Sequence, residues 1–273
     1  MTTADTEGDS ESAGDTDPSL TALVKVVLYK QLILLVRYPV NTATQFLTLL
    51  TFFVLVFFGG KAIAGPTITD SLDGIIVGFF LFTLSITAYS GLAWNVTREA
   101  QWGTLERLFM SPYGFGTVMG VKAVINVCIS FLWGISLLLL MMLLTGRWLV
   151  INPLTVGPLL VLTLLSVLGI GFLFAGLALV YKRVENLFQL VQFGFVGLIA
   201  APAGTVEWLK ILPITHGSYL TRVAMENGVR LGEFPITDIG ILVATSVIYL
   251  SVGYYCFYRA GIKAREKALL GHY

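Results

Sequence analysis

The sequence predicts an all-α membrane protein with six transmembrane helices. Of its 273 residues, 56% are hydrophobic and only 12% are charged, and the mean hydropathy is +0.84. Soluble domains carry about twice that share of charged residues, close to 25%. The apolar residues fall in long runs without the alternation of a β-strand, and such runs fold as helices in a bilayer, where every backbone group needs an internal partner.

The chain begins with an acidic tail, residues 1–19, which contains six aspartates and glutamates and no Lys or Arg. Ser, Thr and Gly separate the acids. Because this segment has almost nothing apolar to bury, we expect it to be disordered. The rest of the chain, residues 20–273, is predicted to form a single transmembrane domain.

A helix lying in the membrane interface is predicted for residues 20–38. Lys25, Lys30 and Arg37 are mixed there with Leu, Ile and Val, a composition too charged to span comfortably but typical of an interfacial amphipathic helix. Pro39 disfavours helix in the residue before it and predicts a sharp turn into the first span. The alternative is one long, bent helix over residues 20–60.

Six apolar runs follow, and a membrane-spanning helix needs about 20 apolar residues. The predicted spans are residues 42–60, 74–94, 117–145, 154–181, 187–205 and 236–258. The fifth run is interrupted by Gly194, Gly197, Pro202 and Gly204. Interrupted apolar segments often re-enter the membrane, so a partly buried external segment is expected after it. The alternative is a plain loop with scattered surface hydrophobic residues.

Residues 98–112 (REAQWGTLERLFMSP) place charge, a glycine and a Ser-Pro stop between the second and third runs. If residues 96–110 form one helix, spacings of three and four define two faces. Trp102, Leu105, Leu108 and Phe109 would form an apolar face, and Glu99, Gly103 and Glu106 a second one. A mid-helix glycine costs about 1 kcal/mol relative to alanine, which is explicable if a partner's backbone approaches there. The alternative is a solvated connector.

The distribution of Lys and Arg predicts the orientation, because positive charge is retained on the cytoplasmic side. With both termini inside, twelve basic residues are cytoplasmic and five are external. The cytoplasmic set is Lys25, Lys30, Arg37, Arg98, Arg107, Lys122, Lys182, Arg183, Arg259, Lys263, Arg265 and Lys267, and the external set is Lys61, Arg147, Lys210, Arg222 and Arg230. The 98–112 loop is then cytoplasmic, and a multi-pass protein of the cell membrane is predicted.

Polar residues inside the predicted spans are candidates for lining a substrate pathway. Ser85 and Tyr89 lie in the second span, and Gln189 and Gln192 lie where the fifth begins. A polar stripe facing lipid is unfavourable, so these side chains should face protein, a cavity or water. Contacts between helices explain any one of them equally well, and Asn126 is expected to make such a contact.

Few residues suit catalysis or metal binding. Cys128 and Cys256 lie in separate spans and are expected to be small buried residues, and His216 and His272 have no metal-ligand spacing. A phosphate-binding loop of the Gly-x-x-x-x-Gly-Lys-Ser/Thr type is absent from the sequence, so any ATP is expected to be bound by another chain. Basic clusters interleaved with aromatic residues are also absent, which gives nucleic-acid binding no support.

The 98–112 loop resembles a pattern found in a transporter family. Glu99-x-x-x-Gly103-Thr104-Leu105-Glu106-x-Leu108-x-x-Ser111-Pro112, after the second of six spans, is similar to the motif of the type-2 ATP-binding-cassette (ABC) exporter permeases. The resemblance covers the chain after the acidic tail: an amphipathic helix, six spans, both ends inside, and a Pro-containing stretch before the last span.

That resemblance implies a permease that works as a homodimer or heterodimer with a second permease, among membrane lipids, and carries ATPase subunits. ATP and Mg²⁺ would be bound by the ATPase subunits and no cofactor by this chain. The first cytoplasmic loop would contain a short coupling helix docked on the ATPase. The residues implied in docking are Arg98, Glu99, Gly103, Thr104, Leu105, Glu106, Arg107, Leu108, Ser111 and Pro112.

The function expected from these observations is export of a hydrophobic or amphipathic substrate, such as a drug, a lipid or a glycan. Two alternatives belong to other classes: a membrane-embedded enzyme that modifies lipids, and a stand-alone channel. An enzyme should carry a cluster of ionisable residues at one membrane level. A channel needs no docking helix, whereas this chain has a candidate for one.

Overall fold

The computed structural model describes residues 19–64, 72–181 and 184–266. Nine α-helices run through these residues: α1 (Leu20–Arg37), α2 (Pro39–Ala64), α3 (Leu72–Gln101), α4 (Leu105–Phe109), α5 (Phe115–Thr145), α6 (Pro153–Val180), α7 (Glu185–Ala200), α8 (Thr215–Asn227) and α9 (Ile236–Glu266). Two 3-10 turns, Glu207–Ile211 and Leu231–Glu233, lie on either side of α8. Residues 1–18 of the acidic tail lie outside the described residues, so their disorder stays a prediction.

Five of the helices, α2, α3, α5, α6 and α9, are long and apolar enough to cross a membrane. The all-α fold class is therefore confirmed, and the chain has the helices of a multi-pass membrane protein. The last helix continues to Glu266 instead of ending at residue 258. Leaving an apolar environment does not end a helix, and Lys263 and Arg265 in the last turn favour its C-terminal dipole.

The fifth predicted span corresponds to α7, which has 16 residues. At a rise of about 1.5 Å per residue this helix is about 24 Å long, shorter than the hydrocarbon core of about 30 Å. It ends at Ala200, two residues before Pro202, whose missing N–H cannot continue a helix. Residues 201–205 therefore leave the helix, and a sixth span stays a prediction.

Nevertheless, α7 and the segment after it together extend from one end of the helix bundle to the other. Val184 follows the C-terminal end of α6 closely in sequence. The backbone N–H of Val150, just before the start of α6, donates to the carbonyl oxygen of Met225 in α8 at 3.0 Å. Between Val184 and Met225 the chain thus passes from one end of α6 to the other, and α8 packs on α6, α3 and α7.

The helix α1 is separated from α2 by a single residue. Tyr38 is non-helical, with φ −117° and ψ 62°, and α2 begins at Pro39, because proline is well suited to the first position of a helix. The alternative of one long, bent helix over residues 20–60 is thus excluded. Gln31 Nε2 in α1 donates to Asn126 Oδ1 in α5 at 3.1 Å, which confirms Asn126 as a contact between helices.

The core is built around α6, which packs most extensively on α9 and also on α3, while α3 packs on α5. Two glycines define the crossing of α6 and α9. A Cβ at Gly253 would overlap the backbone carbonyl of Gly169, and one at Gly169 would overlap that of Tyr249. In contrast, only 11% of the most apolar 18-residue stretch of α2 is buried, against 67% of the corresponding stretch of α6. The helix α2 is therefore peripheral in the single chain.

Candidate functional site

The 98–112 loop is not one continuous helix, so the condition on which the two helical faces depended is not met, and a short helix, α4, lies between α3 and α5 instead. The helix α3 ends at Gln101 and α4 begins at Leu105. Gly103 has φ +68°, in the left-handed region that favours glycine. The N–H of Thr104 donates to the carbonyl oxygen of Glu99 at 3.0 Å, a bond that closes a helix end of this type. The glycine therefore ends α3, which explains its presence in the loop without a partner.

Glu99 is buried in a group of polar side chains that we call the Glu99 cluster: Glu99, Lys122, Lys30 and Thr104. Lys122 Nζ is 2.8 Å and Lys30 Nζ 3.4 Å from Glu99 Oε1. The Thr104 hydroxyl donates to Glu99 Oε2. A buried carboxylate is tolerated when it is paired and hydrogen-bonded in this way. The cluster joins α1, α3, α5 and the start of α4 at one end of the bundle.

The other end of α4 is held by an aromatic stack of Phe109, Phe115 and Phe257. The rings of Phe109 and Phe115 are 3.9 Å apart and nearly parallel, at 15°, and those of Phe115 and Phe257 are 5.3 Å apart. The guanidinium carbon of Arg265 lies 4.6 Å from the centre of the Phe109 ring, which adds a cation–π attraction. The stack connects α4 to α5 and α9.

Between these two anchors, the loop presents side chains to its surroundings. Trp102 is 61% exposed and Met110 is 74% exposed, and Glu106 and Arg107 between them are also exposed. We call these four residues the loop face. Trp, Met and Arg are enriched in protein interfaces. The loop face follows the candidate span that ends at Glu99.

The ten predicted docking residues therefore separate by burial. Arg98, Gly103, Glu106, Arg107 and Pro112 are exposed, Thr104, Leu108 and Ser111 are half-buried, and Glu99 and Leu105 are buried. Glu99 and Leu105 face the interior of this chain, while Trp102 is exposed. The single apolar face depended on an unbroken helix through Gly103, and it does not form because α3 ends at Gln101.

Several residues of the site were missed from the sequence. Lys122 lies close to the start of an apolar run, and a buried lysine requires an acidic partner, so this signal was available. Glu99 is the acid that it pairs with. The contact of Arg265 with Phe109 joins residues far apart in the chain, and no sequence pattern indicated it.

The four predicted pathway residues divide into two pairs. Ser85 and Tyr89 are buried in the interior, where the Ser85 hydroxyl donates to the carbonyl oxygen of Leu81 at 2.7 Å. The Tyr89 ring makes edge contacts with Phe174, Phe188 and Phe195. Gln189 is exposed on α7 and Gln192 is half-buried there. The interior pair is packed against other side chains, and the α7 pair lies at or near the surface.

His216, at the start of α8, is buried, and its Nε2 lies 3.0 Å from the carbonyl oxygen of Asp238. Burial lowers the pKa of His216 below its ordinary value, because a charged imidazole is poorly solvated there. The residue serves as a structural contact between α8 and α9. The described residues contain no group of three or more His, Cys, Asp or Glu suited to a metal ion.

Cys128 and Cys256 are exposed on α5 and α9, which corrects the expectation that they fill the interior. Both lie within helices able to cross a membrane. A small side chain that contacts lipid satisfies the same apolar pattern as one that contacts protein, so the sequence did not distinguish the two.

No protein-family model, curated protein or solved structure matches this chain. The resemblance to the exporter permeases therefore depends on the residues of the 98–112 loop and on the arrangement of helices around them.

Proposed function

We propose that this chain is the permease subunit of an ABC exporter, and that the loop face is where the ATPase subunit docks. The observation that carries this proposal is the placement of Trp102, Glu106, Arg107 and Met110 outside the spans, on a loop anchored at both ends. Trp102 and Met110 lie on either side of the charged Glu106 and Arg107, and an exposed group with this composition is typical of a protein interface. A connector without a partner would not need to be held at both ends by the Glu99 cluster and the aromatic stack.

The anchors give the loop a route for transmitting force. A displacement of the loop by an ATPase would reach α1, α3 and α5 through the Glu99 cluster. It would reach α9 through the aromatic stack. ATP and Mg²⁺ would be bound by the ATPase subunit, since this sequence lacks a phosphate-binding loop. This chain would supply the pathway for a hydrophobic or amphipathic substrate and no hydrolytic site.

Dimerisation with a second permease is supported by the exposed side of α2. Asn41, Thr44, Gln45, Thr48 and Thr51 are exposed there, at spacings that place them along one side of the helix. The hydroxyl of Thr48 donates to the carbonyl oxygen of Thr44 in the same helix at 2.8 Å, whereas the side-chain amides of Asn41 and Gln45 are unfavourable against lipid and would be satisfied by protein or a water-filled cavity. A second permease, identical or different, would provide both.

We further propose a plasma-membrane location with both termini cytoplasmic, which requires α7 and its flanking residues to form the sixth crossing. The helix α1 would then lie in the cytoplasmic interface, with Lys25 and Arg37 exposed near anionic headgroups. The lipid-modifying enzyme and the stand-alone channel stay as alternatives. Neither accounts for an anchored loop with an exposed Trp.

The first test concerns docking. Replacing Trp102 by alanine should lower the amount of ATPase subunit that co-purifies with the chain at least about tenfold, because truncating a central Trp in an interface costs about 2 kcal/mol or more. Glu106→Arg should have a similar effect through charge reversal. The measurement is the ratio of the two subunits after co-expression with an ATPase subunit, the first candidate being an ATPase with a phosphate-binding loop if a neighbouring reading frame encodes one.

The matched control is Trp148→Ala. Trp148 is 72% exposed but lies in the segment between α5 and α6, at the other end of the bundle from the loop face. Its replacement should leave the subunit ratio unchanged. Equal retention of the ATPase by the Trp102, Glu106 and Trp148 variants would show that the loop face is not a docking surface.

The second test concerns orientation and the sixth crossing. Cys128 and Cys256 are exposed, so alanine at both positions should leave no cavity. In that background, a single cysteine at Gly232 should react with a membrane-impermeant maleimide in intact cells, and one at Arg107 should react only after lysis. Both positions are exposed, and a Cβ at Gly232 meets no atom within 4 Å.

If α7 fails to cross, residues 107 and 232 lie on the same side of the membrane and will be labelled under the same conditions. Labelling of residue 107 from outside would reverse the orientation and remove the ATPase from reach of the loop face.

A further inference from the structure

An apolar cavity of about 350 Å³ opens between α2, α3, α7 and α8. Its walls include Phe52 of α2, Phe79 and Phe82 of α3, and Val196 and Ile199 of α7. One charged side chain, Arg222 of α8, also lines it. A concave apolar site with a single, well-placed polar group is the usual form of a small-molecule site in proteins.

The position of Arg222 depends on Gly74, in the first turn of α3. A Cβ at Gly74 would lie 2.5 to 2.7 Å from three atoms of the Arg222 guanidinium group. The guanidinium therefore lies directly against the backbone of α3, at a helix N-terminus that itself favours a negative charge. Asp73 already lies in this first turn and pairs with Arg147 at 2.7 Å, so an anion in the cavity would be stabilised by the guanidinium of Arg222.

Arg222 retains hydrogen-bonding capacity for such an anion. Its ion pair within the described residues is with Glu226, through Nε at 3.0 Å. Exposed pairs one helical turn apart contribute only about 0.3–0.5 kcal/mol, so Glu226 holds the arginine weakly. The terminal nitrogens Nη1 and Nη2 form the planar fork that matches a carboxylate or phosphate.

We propose that this cavity binds an amphipathic anion, with its hydrocarbon chain among the Phe, Val and Ile side chains and its carboxylate or phosphate on Arg222. The site goes beyond the proposed export function, because binding requires neither an ATPase subunit nor transport. Two sources share this chemistry: an anionic membrane phospholipid and a single-chain amphiphile.

The experiment measures ligands retained by the full-length chain in native mass spectrometry from neutral detergent. The probes are phosphatidylglycerol against phosphatidylcholine, and dodecyl phosphate against dodecylphosphocholine. The wild-type chain should retain the anionic member of at least one pair about tenfold more than its zwitterionic partner, as expected for charge-assisted hydrogen bonds. Retention of phosphatidylglycerol alone assigns the site to a membrane phospholipid. Retention of dodecyl phosphate, or its displacement of phosphatidylglycerol, assigns it to a single-chain amphiphile.

Three variants separate charge, position and space. Arg222→Gln should abolish the preference for the anion. Gly74→Ala keeps the charge but displaces the guanidinium, and should weaken the preference. Gly78→Leu adds a side chain to the wall of the cavity and should reduce retention of both members of a pair. Arg230→Gln, which replaces an exposed arginine that does not line the cavity, should behave as wild type.

An equal preference for the anion in the wild-type chain and Arg222→Gln would overturn the proposal, as would equal retention of anionic and zwitterionic probes by the wild-type chain. Failure of the docking test leaves this result unaffected, since the isolated chain is used.

Discussion

Replacing Lys122 by methionine will lower the free energy of unfolding by about 3–5 kcal/mol, the usual effect of removing one member of a buried ion pair. Lys122 and Glu99 each keep only 8% of their side-chain surface exposed, and their charged atoms are 2.8 Å apart. Without Lys122, the carboxylate of Glu99 keeps Thr104 and the half-exposed Lys30, at 3.4 Å. The measurement is the denaturation midpoint in mixed micelles.

A double variant distinguishes the ion pair from a general intolerance of substitution. Glu99→Leu combined with Lys122→Met replaces the pair by apolar side chains, which is often neutral or stabilising, and should recover most of the lost stability. Lys25→Met, at an exposed position of α1, should change little. If the double variant is as unstable as Lys122→Met alone, the ion pair is not the cause.

The second large effect is expected at the crossing of α6 and α9. Gly253→Ala introduces a Cβ where the carbonyl of Gly169 lies, and the two backbones have to move apart. Overpacking typically costs about 1–3 kcal/mol. A clash between main chains cannot be relieved by rotating a side chain, so a loss of roughly 3 kcal/mol is expected. Thermal unfolding of the purified chain followed by circular dichroism measures it.

Gly240→Ala is the matched control on the same helix, because a Cβ there meets no atom within 4 Å. Alanine is the better helix former by up to about 1 kcal/mol, so this variant should unfold at or above the wild-type temperature. A Gly253→Ala chain that unfolds with Gly240→Ala would mean that α6 and α9 pack less closely than described.

Apolar run length was enough to predict the long helices, since α2, α3, α5, α6 and α9 include the predicted ranges or end within one residue of them. Their packing was not predictable in the same way. Periodicity identifies which residues share a helix face, but only if the helix is unbroken. Gly103 is compatible both with a helix interior and with a helix end, and the closing bond from Thr104 to Glu99 decides between them.

In the candidate site, too, contacts between helices could not be predicted from the local sequence. Glu106 and Arg107 are exposed between α3 and α5, as expected for charged residues between two apolar runs, and their docking role stays a prediction. Glu99 was grouped with them, although it is 6% exposed. Whether an acid at the end of a span is buried depends on a base from another helix, here Lys122. The position of Lys122 indicates that some acid pairs with it, but not which one.

The glycine crossing also determines how the chain deforms. Main chains in direct contact leave α6 and α9 no room to slide or tilt, so the two helices behave as one stiff body. The sparsely buried α2 breaks few contacts when it moves, and segments of this kind open at a small fraction of the global unfolding free energy. Phe257 of the aromatic stack belongs to α9, so a displacement of the loop would move α6 and α9 together. The helix α2 is the part of the chain that can move with the smallest loss of contacts.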